Sequence, residues 1–159
     1  MTDTTIQEGG CSCGDVRYQM LAEPMFVHCC HCTCCQQQTG AAFAVNAIIE
    51  SDHVKLIKGT VAYTVVPSPS GRGQEIARCP TCHVALWSHY GGLGKKASFV
   101  RVGTLGTGHT ISPDAFIYTS TKQPWVQIPD GMLAVPEYYN MKETWPAESQ
   151  RRLSALLKS

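Results

Sequence analysis

Nine cysteines fall into three tight groups in this 159-residue chain. They are Cys11-Ser12-Cys13, Cys29-Cys30-His31-Cys32-Thr33-Cys34-Cys35 and Cys79-Pro80-Thr81-Cys82. Thiolates spaced this closely are poor disulfide partners for one another and good ligands for a soft divalent ion, so the chemistry on offer is zinc coordination, at more than one site. The odd count argues the same way, because a secreted disulfide scaffold carries an even number in a shorter chain. The plainer reading, a cysteine as a small buried hydrophobe, stays open for Cys29 and Cys34.

On an extended segment Cys11 and Cys13 point to the same side and reach one ion together. Cys79-Pro80-Thr81-Cys82 has the spacing of a zinc knuckle, its turn stiffened by Pro80. His83 follows where Gly is common and φ is positive; it is a residue enriched at positive φ, or else a further ligand. Cys11, Cys13, Cys79 and Cys82 make a closed four-thiolate site, which is structural in character. Spacing alone leaves the pairing open, since the middle group could supply two of those ligands. Within the middle group Cys30, Cys32 and Cys35 give three thiolates in C-x-C-x2-C order. Three ligands leave a fourth position free, as in a catalytic zinc. The formal charge of −1 weakens such a centre toward water, yet it still holds an incoming thiol as thiolate. His28 shares the ligand face of an extended segment and is the spare ligand; His31 points away.

The elements that must position these groups read as short strands. Candidates are 15–20, 25–27, 41–49, 54–57, 60–66, 74–78, 84–89, 97–102, 115–118 and 125–128. Gly59 suggests a turn or bulge between two of them. Residues 67–73 are a loop by composition, and 91–96 a surface loop that fails the order of a phosphate-binding motif. Trp125, alone in a strand, reads as core. Only the end looks helical, with Pro146 in the first turn and Leu153, Leu156 and Leu157 on one stripe. The class is mostly β, sandwich-like or barrel-like, with a short C-terminal helix and one domain over 1–159.

Composition narrows the function. Hydrophobic residues make up 43%, charged residues 16%, and the net charge is +1. A nucleic-acid reader usually carries a basic excess that this chain lacks. No apolar run is long enough to span a bilayer, and the polar N-terminus lacks the pattern of a secretory signal. Thiols of this kind suit a reducing compartment, so a cytoplasmic location is expected.

Residues 9–18 (GGCSCGDVRY), 30–35 (CHCTCC), 40–43 (GAAF), 59–63 and 78–82 (RCPTC) resemble the glutathione-dependent formaldehyde-activating enzyme family, which also includes centromere protein V. The resemblance runs from about Gly9 to Trp125. It implies the β-tent fold, a zinc-bound β-sheet arrangement. It also implies a structural zinc on Cys11, Cys13, Cys79 and Cys82 and a second zinc on Cys30, Cys32 and Cys35, favouring the pairing that spacing left open. Three positions depart from the family pattern: Gln36 stands for Arg, His83 for Gly, and Phe116 where His is frequent. Gln36 removes a cation beside the open site, so weak selectivity for glutathione is expected.

The expected activity is a zinc-dependent carbon–sulfur lyase type, adding a small thiol such as glutathione to a small aldehyde such as formaldehyde, or the reverse. The rival is a non-catalytic zinc scaffold. A small-ester hydrolase fits an electron-rich thiolate site less well.

Overall fold

Period-two alternation builds the first hairpin. Strands β1 (Gln7–Gly10) and β2 (Arg17–Met20) pair antiparallel, Gly10 opposite Arg17, and β2 turns Tyr18 and Met20 inward. Strand β5 (Val54–Lys58) joins the other edge of β2 and completes a three-stranded sheet. Gly59 then carries the chain from this sheet to the next. Its φ is +78°, and a Cβ there would lie 2.2 Å from the Asp15 carbonyl oxygen, so only glycine fits. The predicted turn at Gly59 is present, and it connects two sheets rather than two neighbours.

The structure is a computed structural model, and it describes residues 6–106 and 110–159. The reading of the polar N-terminus rests in part on residues 1–5, which lie outside them. Among the described residues eleven strands form two sheets, so the mostly-β expectation holds, as does the short C-terminal helix. The larger sheet adds β3 (Phe26–Cys30), β4 (Ala44–Glu50), β6 (Ala62–Val66), β7 (Gln74–Arg78), β8 (Ala85–Tyr90), β9 (Ala97–Arg101), β10 (Ala115–Ile117) and β11 (Leu133–Ala134). Its order is β11-β10-β3-β4-β9-β8-β7-β6. The fully buried β3 lies between β4, antiparallel to it, and β10, parallel to it. This two-sheet arrangement with its cysteine clusters agrees with the β-tent expectation.

Each face of the large sheet has its own core. On one, Val27, Ala47, Trp87 and Val100 pack against Tyr18 and Met20 of the small sheet. The Tyr18 ring meets Trp87 edge-on at 5.5 Å, and its hydroxyl hydrogen-bonds Thr104 Oγ1 at 2.7 Å. On the other face, Phe26, Cys30, Ile48, Phe99 and Ile117 pack with Trp145 and the helical end of the chain. There α1 (Thr33–Thr39), α2 (Met141–Thr144) and α3 (Ala147–Lys158) are the α-helices of the described residues. Trp145 stacks on Phe26 at 5.4 Å, and Arg152 of α3 pairs with Glu50 of β4. No described helix is long and apolar enough to cross a membrane.

Two expectations fail. Residues 125–128 form no strand: Pro124 and Pro129 bracket them, the Val126 N–H closes a turn on Gln123, and Trp125 is 73% exposed rather than core. Helix is also not confined to the end. Cys32 caps α1 with its sulfur, three glutamines continue it, and Gly40 ends it at φ 64°.

Candidate metal centre

The closed cluster forms where two hairpin loops meet. In the first, the Cys11 N–H bonds the Val16 carbonyl at 3.1 Å and the Gly14 N–H bonds the Cys11 carbonyl at 3.4 Å. In the second, the Cys79 N–H bonds Val84 and the His83 N–H bonds Cys79, each at 3.0 Å. Gly14 (φ 81°) and His83 (φ 63°) take the left-handed positions. His83 is therefore a backbone residue of the knuckle, as the positive-φ reading expected, and stands outside the ligand group. The aim of Cys11 and Cys13 has a different origin from strand alternation. β1 ends at Gly10, and it is the turn that directs both sulfurs to one side.

The ligand distances fit an ion. A tetrahedron with metal–sulfur arms of about 2.3 Å has sulfur–sulfur edges of about 3.8 Å. Cys11 and Cys13 Sγ are 3.5 Å apart, Cys13 and Cys79 Sγ 3.7 Å, and all four sulfurs lie within 4.8 Å of one another. Backbone N–H groups already point at them: Val16 at Cys11 Sγ (3.3 Å) and Thr81 at Cys79 Sγ (3.4 Å). The Val84 backbone, with further hydrogen bonds, holds the Cys82 thiol down at about 5. Donors of this kind favour the thiolate, the form that binds metal.

The second cluster is local. Cys30 ends β3, Cys32 is the N-cap of α1, and Cys35 sits in its first turn, where its N–H donates to Cys32 Sγ at 3.3 Å. A strand end running directly into a helix start thus brings three sulfurs within 4.8 Å of one another, all buried. They fit a three-coordinate cradle for a soft ion. Among the described residues no fourth His, Cys, Asp or Glu joins them, so His28 is not a ligand of the group. Without an ion the three thiols share their protons unevenly. Cys32 is the one pulled down, because Cys30 and Cys35 hydrogen-bond to it, while Cys30 is pushed up by the same contacts and by burial.

These sulfurs lie at the edge of a cavity of about 480 Å³, in the size range of small-molecule sites. Tyr90, Phe99, Ile117, Tyr118 and Tyr138 give it apolar walls; His28 and Asn46 add polar groups. Trp145 Nε1–H can only donate, and it donates to the Tyr139 oxygen at 2.7 Å. The same Tyr139 hydroxyl hydrogen-bonds His28 Nε2; in the tautomer in which that hydroxyl is the donor, the His28 proton sits on Nδ1. Burial keeps that imidazole neutral, pulling its pKa down to about 3. Tyr118 adopts φ 53°, a strained conformation for an aromatic residue, and borders the sulfurs. No sequence signal marks it.

The remaining thiols and the three departures resolve as follows. Cys29 turns to the opposite face of β3, and its Sγ lies 3.6 Å from His31 Nε2. Cys34 is half-buried on α1, outside both ligand groups. Phe116 shares the Cys29 side and stacks on His31 at 6.1 Å, behind the cavity wall. Gln36 does not line the cavity. Its Nε2 donates to the carbonyls of His31 (2.8 Å) and Thr121 (2.9 Å), and its Oε1 accepts from Gln123 (2.6 Å). Among the described residues, Arg72, from the loop 67–73, is the one Lys or Arg that lines the cavity, and no Asp or Glu lines it.

The model of the family described as the glutathione-dependent formaldehyde-activating enzyme matches residues 6–121. Among solved structures, the crystal structure of a Rhodobacter sphaeroides protein is similar, at 17% identity over 65% of this chain and 91% of that one, with a TM-score of 0.47. No curated protein matches the chain.

Proposed function

The chain belongs to the glutathione-dependent formaldehyde-activating enzyme family, and from that premise we propose that it is a carbon–sulfur lyase. It joins a small thiol, glutathione or a relative, to a small aldehyde such as formaldehyde, or runs the reverse elimination. One observation carries the reading: three convergent thiols, with no fourth ligand among the described residues, open into a cavity of about 480 Å³. Cys30, Cys32 and Cys35 would hold a zinc ion, which would supply a position at which a thiol is kept deprotonated near neutral pH.

The chain's own residues divide the remaining work. The aromatic walls exclude water from the sulfur and the aldehyde carbon. Arg72 meets an anionic group on the thiol, a glutathione carboxylate for instance. His28 offers Nδ1–H to the oxygen that gains charge, as a neutral donor positioned by Tyr139. The chemistry balances without redox change. The thiol loses its proton, the carbon–sulfur bond forms, and the C=O π pair moves to oxygen, which takes up a proton to give a hydroxymethyl thioether. Cys11, Cys13, Cys79 and Cys82 would hold a structural zinc that stands outside this chemistry. Hydrolysis of small esters fits less well, since a third thiolate makes the centre electron-rich.

The test is calorimetry of thiol binding to zinc-replete protein in two buffers of different ionisation enthalpy, followed by NMR of the mixture after formaldehyde is added. The expected result is release of one proton per thiol near neutral pH and catalysed appearance of the hydroxymethyl thioether. Binding of no thiol at all would leave a non-catalytic zinc module.

A further inference from the structure

Among the described residues, Arg101 of β9 is a buried cation with no carboxylate partner. It is 6% exposed. Its Nη1 donates to Asn46 Oδ1 and its Nη2 to Ser88 Oγ, both neutral groups, and its Nε is buried with no partner. The ion pairs of the described residues do not include it. A guanidinium withdrawn from water in this way is costly unless some charge compensates it.

The sheet register fixes the face on which Arg101 stands. Arg101 stands opposite Asn46, and Asn46 stands opposite His28. Opposed residues share a face, so Arg101 is on the side of the sheet that carries Cys30. Asn46, which takes the Nη1 bond, also lines the cavity of the three-thiol cluster. A divalent ion on three thiolates carries a net charge of −1, the complement of one guanidinium. We propose that Arg101 is the buried counter-cation of the three-thiolate metal centre, and that its fixed charge sets how tightly the open site holds its ion. The inference rests on Cys30, Cys32 and Cys35 being metal ligands, and not on the reaction carried out there. A second cavity, of about 540 Å³, borders Arg101 and Arg78 and likewise has no carboxylate in its wall. Both Nη groups are already engaged by Asn46 and Ser88, which do not line it.

The experiment measures the zinc affinity of each site by competition with chromophoric chelators, in wild type, Arg101→Gln, Arg101→Lys and Asn46→Asp. Arg101→Gln should lower open-site affinity by about 10- to 100-fold and leave the closed site unchanged, while Arg101→Lys should stay within about threefold of wild type. Asn46→Asp hands the guanidinium a carboxylate and should also weaken the open site, with the arginine in place. If Arg101→Gln does not fold, the contrast between Arg101→Lys and Asn46→Asp decides the matter in the same way. The proposal is overturned if charge removal leaves open-site affinity intact, if lysine loses as much as glutamine, or if both sites weaken together. A wild-type chain that takes up only one zinc removes the premise, a result that can be told apart from any effect of the variants.

Discussion

The two cysteine clusters use the same ligand atom to join very different lengths of chain. Cys13 and Cys79 are 66 positions apart, and their cluster ties the first hairpin of the small sheet to the end of β7 in the large one. Cys30, Cys32 and Cys35 lie within six residues, where a strand runs into a helix. The first cluster has four ligands and fastens two loops; the second has three and faces a cavity. A metal that closes a long loop restrains the unfolded chain, whereas one bound within a single turn leaves it nearly as free as before. Coordination number and loop length thus both support the proposed division, in which the distant cluster serves the fold and the local one chemistry.

The sharpest way to break this contrast is to remove one ligand from the long-range cluster. Cys11→Ser or Cys82→Ser should give insoluble or non-cooperatively melting protein, because structural zinc contributes on the order of 10 kcal/mol, comparable to a whole domain's net stability. Cooperative wild-type melting of either variant, followed by circular dichroism, would show that the cluster is not structural. The local counterpart, Cys32→Ser, should stay folded, keep about one zinc per chain by elemental analysis and lose all thiol-dependent turnover.

Smaller effects sharpen the role of the open site. His28→Phe keeps the ring volume and removes Nδ1–H, so turnover should fall about 100-fold or more with both zincs retained. Arg72→Gln should weaken an anionic thiol about fivefold, near 1 kcal/mol, and leave a neutral thiol unaffected in the same calorimetric titration. Equal loss for both thiols would mean that Arg72 does not read charge.

The smallest effect is a control remote from both clusters. Burial opposes the charge of Glu50, but its hydrogen bond from Arg152 prevails and holds the carboxyl below its ordinary value. A lowered carboxyl pKa means that the unfolded chain binds more protons, so this contribution is complete above about pH 4.5 and fades as pH falls through the folded value. Arg152→Met should cost about 1 kcal/mol at pH 7, flatten the acid limb of the stability curve and leave both zinc counts unchanged.

Much of this was legible in the chain, for identifiable reasons. Cysteine spacing picked out both groups of sulfurs that the fold brings together and that could hold a metal, and the residue after Cys82 was expected at positive φ because a knuckle needs one there. Helix α1 escaped because the C-x-C-x2-C segment was read as extended, although Gln36-Gln37-Gln38 and Gly40 are ordinary helix and C-cap signals. Arg72, Tyr118 and Tyr138 could not be found in the sequence, as they line the cavity from segments remote in the chain. Gln36 shows the converse. A position judged by its missing charge proved to make three hydrogen bonds, one back to His31 and two that tether α1 to Thr121 and Gln123.

The division of labour is tested most directly by stepwise zinc removal from the native protein, with chelators of rising strength, while released metal, thiol binding and circular dichroism are followed together. The account predicts that the first zinc leaves with the fold intact and thiol binding lost, and that the second leaves together with the fold. Release of both ions in one step, or unfolding at the first, would contradict it.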